Sequence, residues 1–192
     1  LLHRFVPGFA RDYPNVELQI RELMTADIIR ALGRDMLDAA ILAGGTSPDG
    51  IQEEELFNDR FYAYVSTGHP LFERSNIRIE DIDVRRLLLL SEGNCLRDQV
   101  LELCQAQQYS FESGSLETLI RIVDNSSNMM TIVPEMVADF IDESHKPQLK
   151  TLAKGATSRK ITISVRRTYV KRSLVAALKE SILAACRPDR HV

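Results

Sequence analysis

Apolar residues along this chain switch repeatedly between a period of about 3.6 and a period of two, and each switch predicts a change from helix to strand. Leu2, Phe5, Val6 and Phe9 share one face of a helix over Leu2–Tyr13, which Pro14-Asn15 ends, and Val16, Leu18 and Ile20 then alternate as a strand. Thr25 is expected to cap a helix that turns Ile28, Ile29 and Leu32 inward, and Gly33 closes it before a strand at Ala39–Ala43. Pro48-Asp49-Gly50 is a turn, and the strand that follows, Phe61–Ser66, is broken by His69-Pro70-Leu71. A second alternation starts with a strand at Leu87–Leu90. It continues through a helix from Cys95 to Cys104, a short strand around Phe111, a helix from Ser115 and a strand at Met130–Val133. Lys160–Val165, with Ile161, Ile163 and Val165 on one face, can rejoin the first sheet, and Val170–Ala185 is a closing amphipathic helix.

This alternation predicts an α/β fold with largely parallel sheets, arranged as two lobes joined by two crossing strands. With 192 residues, 44% of them hydrophobic and 27% charged, the chain can bury one large core or two small ones. Its longest apolar runs, such as Leu87–Leu90, fall far short of the roughly 20 residues that span a bilayer, so a soluble protein without membrane partners is expected. A net charge of −3 and a pI near 5.9 offer no basic footprint for duplex DNA. Three cysteines, none in a CxxC pair, do not form the framework of a small secreted domain and point to the reducing cytoplasm. The chain opens at Leu1 with neither a methionine nor a signal segment, as expected of a piece of a longer protein. His3, His69, His145 and His191 lack metal-ligand spacing and there is no Gly-rich phosphate loop, so neither metal nor cofactor is expected.

The chemistry in the pattern belongs to Cys95 and Cys104. Cys95 follows a strand and Gly93-Asn94, at the start of a helix whose unpaired N–H groups stabilise negative charge on a thiol sulfur. Arg97 adds a cation in the same turn, and Asp98 adds a polar group able to hold a ligand. Cys104 shares a face with Val100 and is expected to be the more buried thiol. Nine helical steps separate the two by about 13 Å and half a turn. A disulfide needs Cα atoms within about 7 Å, so joining them requires the helix to melt. Read singly, each residue has a plain packing role: free cysteines are commonly inert, and Thr25 and Ser115 serve as helix caps. In a two-lobed α/β protein, however, helix N-termini at strand ends surround the ligand cleft, and Thr25, Cys95 and Ser115 all fall there. Cys186 has no neighbouring His or Cys and receives no role.

The segment Gly93-Asn94-Cys95-Leu96-Arg97-Asp98-Gln99, with Cys104 nine residues on, resembles the redox motif of the LysR-type transcription regulators that sense hydrogen peroxide. Ser115-Leu116-Glu117-Thr118-Leu119 and Thr131-Ile132-Val133-Pro134 resemble the same family, as does the order of elements over nearly the whole chain. The resemblance implies a periplasmic-binding-protein-like regulatory domain: two mixed sheets flanked by helices and joined by two crossing strands. Residues 1–62 and 162–192 would form one lobe and 63–161 the other.

It further implies that Cys95 is the thiol oxidised by peroxide and Cys104 the one that resolves it. Thr25, Asn94, Arg97 and Asp98 would hold peroxide and water, with Ser115 at the cleft. The family commonly has a histidine where this chain has Asn94, and a second threonine of its peroxide site lies on a strand expected before Leu1. The implied partners are hydrogen peroxide, a second copy of the domain, a tetramer in the full-length protein, promoter DNA through a winged helix-turn-helix expected before Leu1, RNA polymerase and a cellular thiol reductant. Such a domain is a switch and not an enzyme. Two alternatives remain at this point: a LysR-type domain that binds a small metabolite between its lobes, and a thiol peroxidase that turns over.

Overall fold

The computed structural model describes residues 1–44, 48–104, 111–153 and 158–186. Among them the helices are α1 (Leu2–Asp12), α2 (Thr25–Gly33), α3 (Cys95–Cys104), α4 (Leu116–Asp124) and α5 (Arg172–Cys186). The strands are β1 (Ala40–Ala43), β2 (Ile51–Val65), β3 (Asn76–Ile77), β4 (Leu87–Leu90), β5 (Phe111–Ser113), β6 (Met130–Pro134), β7 (Leu149–Leu152) and β8 (Ser158–Arg166). The chain divides into two compact units, Leu1–Asn58 with Lys160–Val192 and Asp59–Arg159, and β2 and β8 carry it from one to the other.

In the first unit β8 pairs antiparallel with β1, Ala40 opposite Ser164 and Ala43 opposite Ile161, and β2 lies on the other side of β8. Phe5 and Phe9, four residues apart on α1, point one above the other into a core completed by Leu56, Ile161, Ile163 and Ile182. Two expectations are corrected here. Val16–Ile20 forms no ladder among the described residues: Val16 and Leu18 pack on the core while Glu17 and Gln19 face solvent, so alternation gives an extended segment, but a strand also needs a partner for its backbone. Thr25 is the first residue of α2, not its cap; Met24 holds that position and no side chain caps the helix.

The second unit is a mixed sheet in the order β3-β7-β2-β6-β4-β5. Three pairings are parallel (β4 with β5, β4 with β6, β3 with β7) and two antiparallel (β2 with β6, β2 with β7). Adding the antiparallel β1–β8 pair, the sheets are mixed, not largely parallel, because the crossing strands run against their neighbours. Leu87, Leu88, Leu89 and Leu90 are all buried, which explains the unbroken apolar run: β4 is covered on both faces, with α3 and α4 packed against it. Thr131 fits into the same layer by donating its hydroxyl to the Leu88 carbonyl at 2.9 Å. β2 begins ten residues earlier than the apolar pattern indicates, since Glu53-Glu54-Glu55 hides its first half.

Several polar groups buried in this unit are tied to one another. Asp59, 2% exposed, accepts both Nε and Nη2 of Arg159 at 3.0 Å, joining β2 to β8. The Tyr64 hydroxyl donates to Asp124 at 2.5 Å and Gln148 donates to the same oxygen at 3.2 Å, fixing the end of α4 against β2. Burial and the Asp124 bond hold the Tyr64 phenol far above its ordinary range.

His69 is buried, and its Nδ1 accepts the Leu71 N–H at 3.1 Å. Burial, with the Arg86 charge adding to it and Asp83 opposing, lowers its pKa below 6.5. The folded state therefore binds this proton less readily than the unfolded chain, so its stability is complete above pH about 6.5 and declines as the pH falls through that value. The urea midpoint should fall between pH 7 and pH 5, and the part due to this group should be absent in His69→Asn; an equal slope in both proteins would contradict the assignment.

Candidate functional site

β4 and β5 are parallel neighbours that end together: Leu90 lies opposite Ser113, and the Ser91 N–H donates to the Ser113 carbonyl at 2.9 Å. Each strand leads directly into a helix, so the N-termini of α3 and α4 stand beside one another at the carboxyl end of the sheet, where α/β folds place ligands. Gly93, at φ 86°, makes the turn into α3 in a conformation that suits a residue without Cβ. Asn94 then caps the helix. Its Oδ1 accepts the Leu96 N–H at 3.0 Å and its carbonyl accepts the Arg97 N–H at 3.0 Å. Ser115 does the same for α4, its Oγ accepting the Thr118 N–H at 3.4 Å, and Ser113 Oγ accepts the Ser115 N–H at 3.3 Å.

Cys95 and Cys104 occupy the two ends of α3, and both are free, half-buried thiols. The ten-residue helix keeps them about 13 Å apart along its axis. Cys104 packs against the same core as Leu96 and Val100, and burial pushes its pKa up to about 11, so it stays protonated at neutral pH. Cys95 sits where the first-turn N–H groups point.

Arg97 reaches sideways to β5, where its Nη2 donates to Glu112 Oε1 at 3.1 Å. Its Nη1 lies 3.8 Å from Asp98, whose carboxylate is mostly exposed. The second unit thus brings Asn94, Cys95, Arg97, Asp98 and Ser115 to neighbouring helix starts, while Thr25, half-buried, is carried by α2 of the first unit. Two residues at the site received no role from the sequence. Glu112 has no local signature, because it meets Arg97 only through the pairing of β4 with β5. Gln99 keeps a buried Oε1 with no hydrogen-bond partner among the described residues, and its place in a polar-looking stretch gave no hint of burial. Among the described residues no group of three His, Cys, Asp or Glu is placed to hold a metal ion, and no helix is long and apolar enough to cross a membrane.

A model of the LysR substrate binding domain matches residues 1–187. A "Probable hydrogen peroxide-inducible genes activator" of Mycobacterium leprae is 29% identical over 171 residues, covering 86% of this chain and 55% of the relative. The chain spans about half the length of the curated relatives it matches. Among solved structures, an OxyR mutant from Porphyromonas gingivalis superposes with a TM-score of 0.90 at 28% identity, covering 100% of this chain and 91% of that one. Reduced OxyR from the same organism gives 0.85 at 28% identity, with 100% and 90% covered.

The Asn94 cap leads to a direct test. Asn94→Ala removes a side-chain acceptor from the first turn of α3 and should destabilise the reduced protein by about 1 kcal/mol in chemical denaturation, whereas Asn94→Asp should retain most of the stability. Equal losses in the two variants would show that the cap is not what Asn94 contributes.

Proposed function

Since the chain belongs to the LysR substrate-binding-domain family, we propose that it is the regulatory part of a transcription activator that senses hydrogen peroxide through Cys95 and Cys104. The observation that carries this reading is the placement of two free thiols at opposite ends of one ten-residue helix. The Cys95 thiolate attacks one oxygen of hydrogen peroxide. The O–O bond breaks, the departing hydroxide takes a proton to become water, and Cys95 is left as a sulfenic acid. The Cys104 thiol then attacks that sulfur, a second water leaves, and a disulfide remains; two equivalents of a cellular thiol reductant return both residues to thiols.

The burial that keeps Cys104 protonated suits it to wait as the second thiol and not to compete for peroxide. Asn94, Arg97 and Asp98 are the polar groups we assign to holding peroxide and water, with Ser115 at the neighbouring helix start. The domain acts once per oxidation and is not an enzyme. In the full-length protein we expect it to pair with a second copy, assemble as a tetramer, bind promoter DNA through an N-terminal winged helix-turn-helix and engage RNA polymerase in the cytoplasm. The relatives' names as hydrogen peroxide-inducible genes activators support the reading of a peroxide-responsive activator.

Peroxide titration of thiol variants tests the assignment. Cys95→Ser should abolish rapid peroxide consumption, and Cys104→Ser should consume one equivalent and stop at a sulfenic acid that dimedone labels at Cys95. Equal rates in the two variants, or first labelling at Cys186, would contradict the roles. Rapid repeated turnover on successive peroxide additions with a thiol reductant present would contradict a switch.

A further inference from the structure

The thiol chemistry proposed above requires α3 to unwind, and the structure shows what ties its first turn to the sheet. Arg97 lies two residues after Cys95 and donates to Glu112 of β5 at 3.1 Å. Glu112 is itself held in register opposite Leu89, so the far end of this tie is anchored in the β4–β5 ladder. Both partners are sheltered, with side chains 14% and 29% exposed, which sets the pair apart from exposed surface pairs such as Arg11–Asp12. The attraction between two charges is less screened there than at the surface, and neutralising one member has a larger effect than at an exposed pair.

We propose that the Arg97–Glu112 ion pair is a latch that holds the first turn of α3 on β5, making Glu112 a positioning residue that sets the balance between dithiol and disulfide at Cys95 and Cys104. The inference rests on the peroxide-sensing reading and deepens it. The latch acts where Cys95 leaves the helix start to bring the two Cα atoms from about 13 Å to within about 7 Å; unwinding from the Cys104 end alone would leave the pair in place. Arg97 cannot remain fixed to Glu112 through that movement while the intervening turn unwinds. Whatever the pair contributes is therefore present in the reduced fold and lost in the oxidised one, so it opposes disulfide formation. Glu112 touches no reacting atom; it acts through Arg97.

Glu112→Gln keeps the shape of the side chain and removes its charge. Equilibrated against glutathione buffers, with the Cys95–Cys104 bond read by peptide mass spectrometry, the variant should favour the disulfide about threefold to tenfold more than the unsubstituted protein, tenfold corresponding to about 30 mV. In the reduced state, amides from Leu96 to Val100 should exchange faster in the variant, while those of α1 and α5 keep their rates. A normal disulfide whose equilibrium the variant leaves unchanged, or shifts toward the dithiol, overturns the latch and leaves the thiol assignment standing. Failure of the unsubstituted protein to form a Cys95–Cys104 bond with peroxide removes the reading on which the latch depends, so the two failures are distinguishable.

Discussion

A helix of ten residues with a cysteine at each end cannot hold a bond between those cysteines. The rise of the helix sets them about twice as far apart as a disulfide allows, and no side-chain rotation closes that gap. On the function proposed above, this constraint would convert the oxidation of two sulfur atoms into the loss of a secondary-structure element. The surrounding architecture bears on it in two ways: some contacts keep α3 formed, and others ensure that its loss is felt elsewhere.

Helix α3 is kept by modest forces. Asn94 caps its start, Leu96 and Val100 bury themselves against the sheet, and Arg97 reaches β5. Each fully buried apolar side chain contributes roughly 1.5–3 kcal/mol, so unwinding costs a few kcal/mol, a magnitude comparable to what a disulfide can supply. Near balance is what a reversible switch requires, because a much more stable helix would never yield and a much weaker one would not persist in the reduced state. Beneath it, β4 is buried on both faces and bonded on both sides, to β5 and β6. That strand gives α3 a fixed floor, and α4, whose N-terminus neighbours that of α3, is placed to register a change there on the proposed function.

The sequence made the helices and the central strands readable because their apolar residues recur at clean periods: Phe5 and Phe9 on α1, Leu119 and Val123 on α4, Leu87–Leu90 in β4. Elements whose boundaries depend on partners were not readable. β3 and β7 are short and held by each other and by β2, and the first half of β2 carries three consecutive glutamates. Val16–Ile20 shows the converse, a perfect alternation that yields an extended chain without a ladder. At the site, spacing alone gave the geometric conflict between helix and disulfide, and the Asn94-Cys95 helix start followed from local turn chemistry. Glu112 was invisible because its meeting with Arg97 is produced by strand pairing across fifteen residues of sequence.

Hydrogen exchange of the reduced and peroxide-treated protein, resolved to peptides across Arg97–Leu103, addresses the conflict between helix and disulfide most directly. With the Cys95–Cys104 bond confirmed on the same samples, protection over this segment should be present in the reduced protein and lost in the oxidised one. Undiminished protection in the presence of that bond would contradict the account.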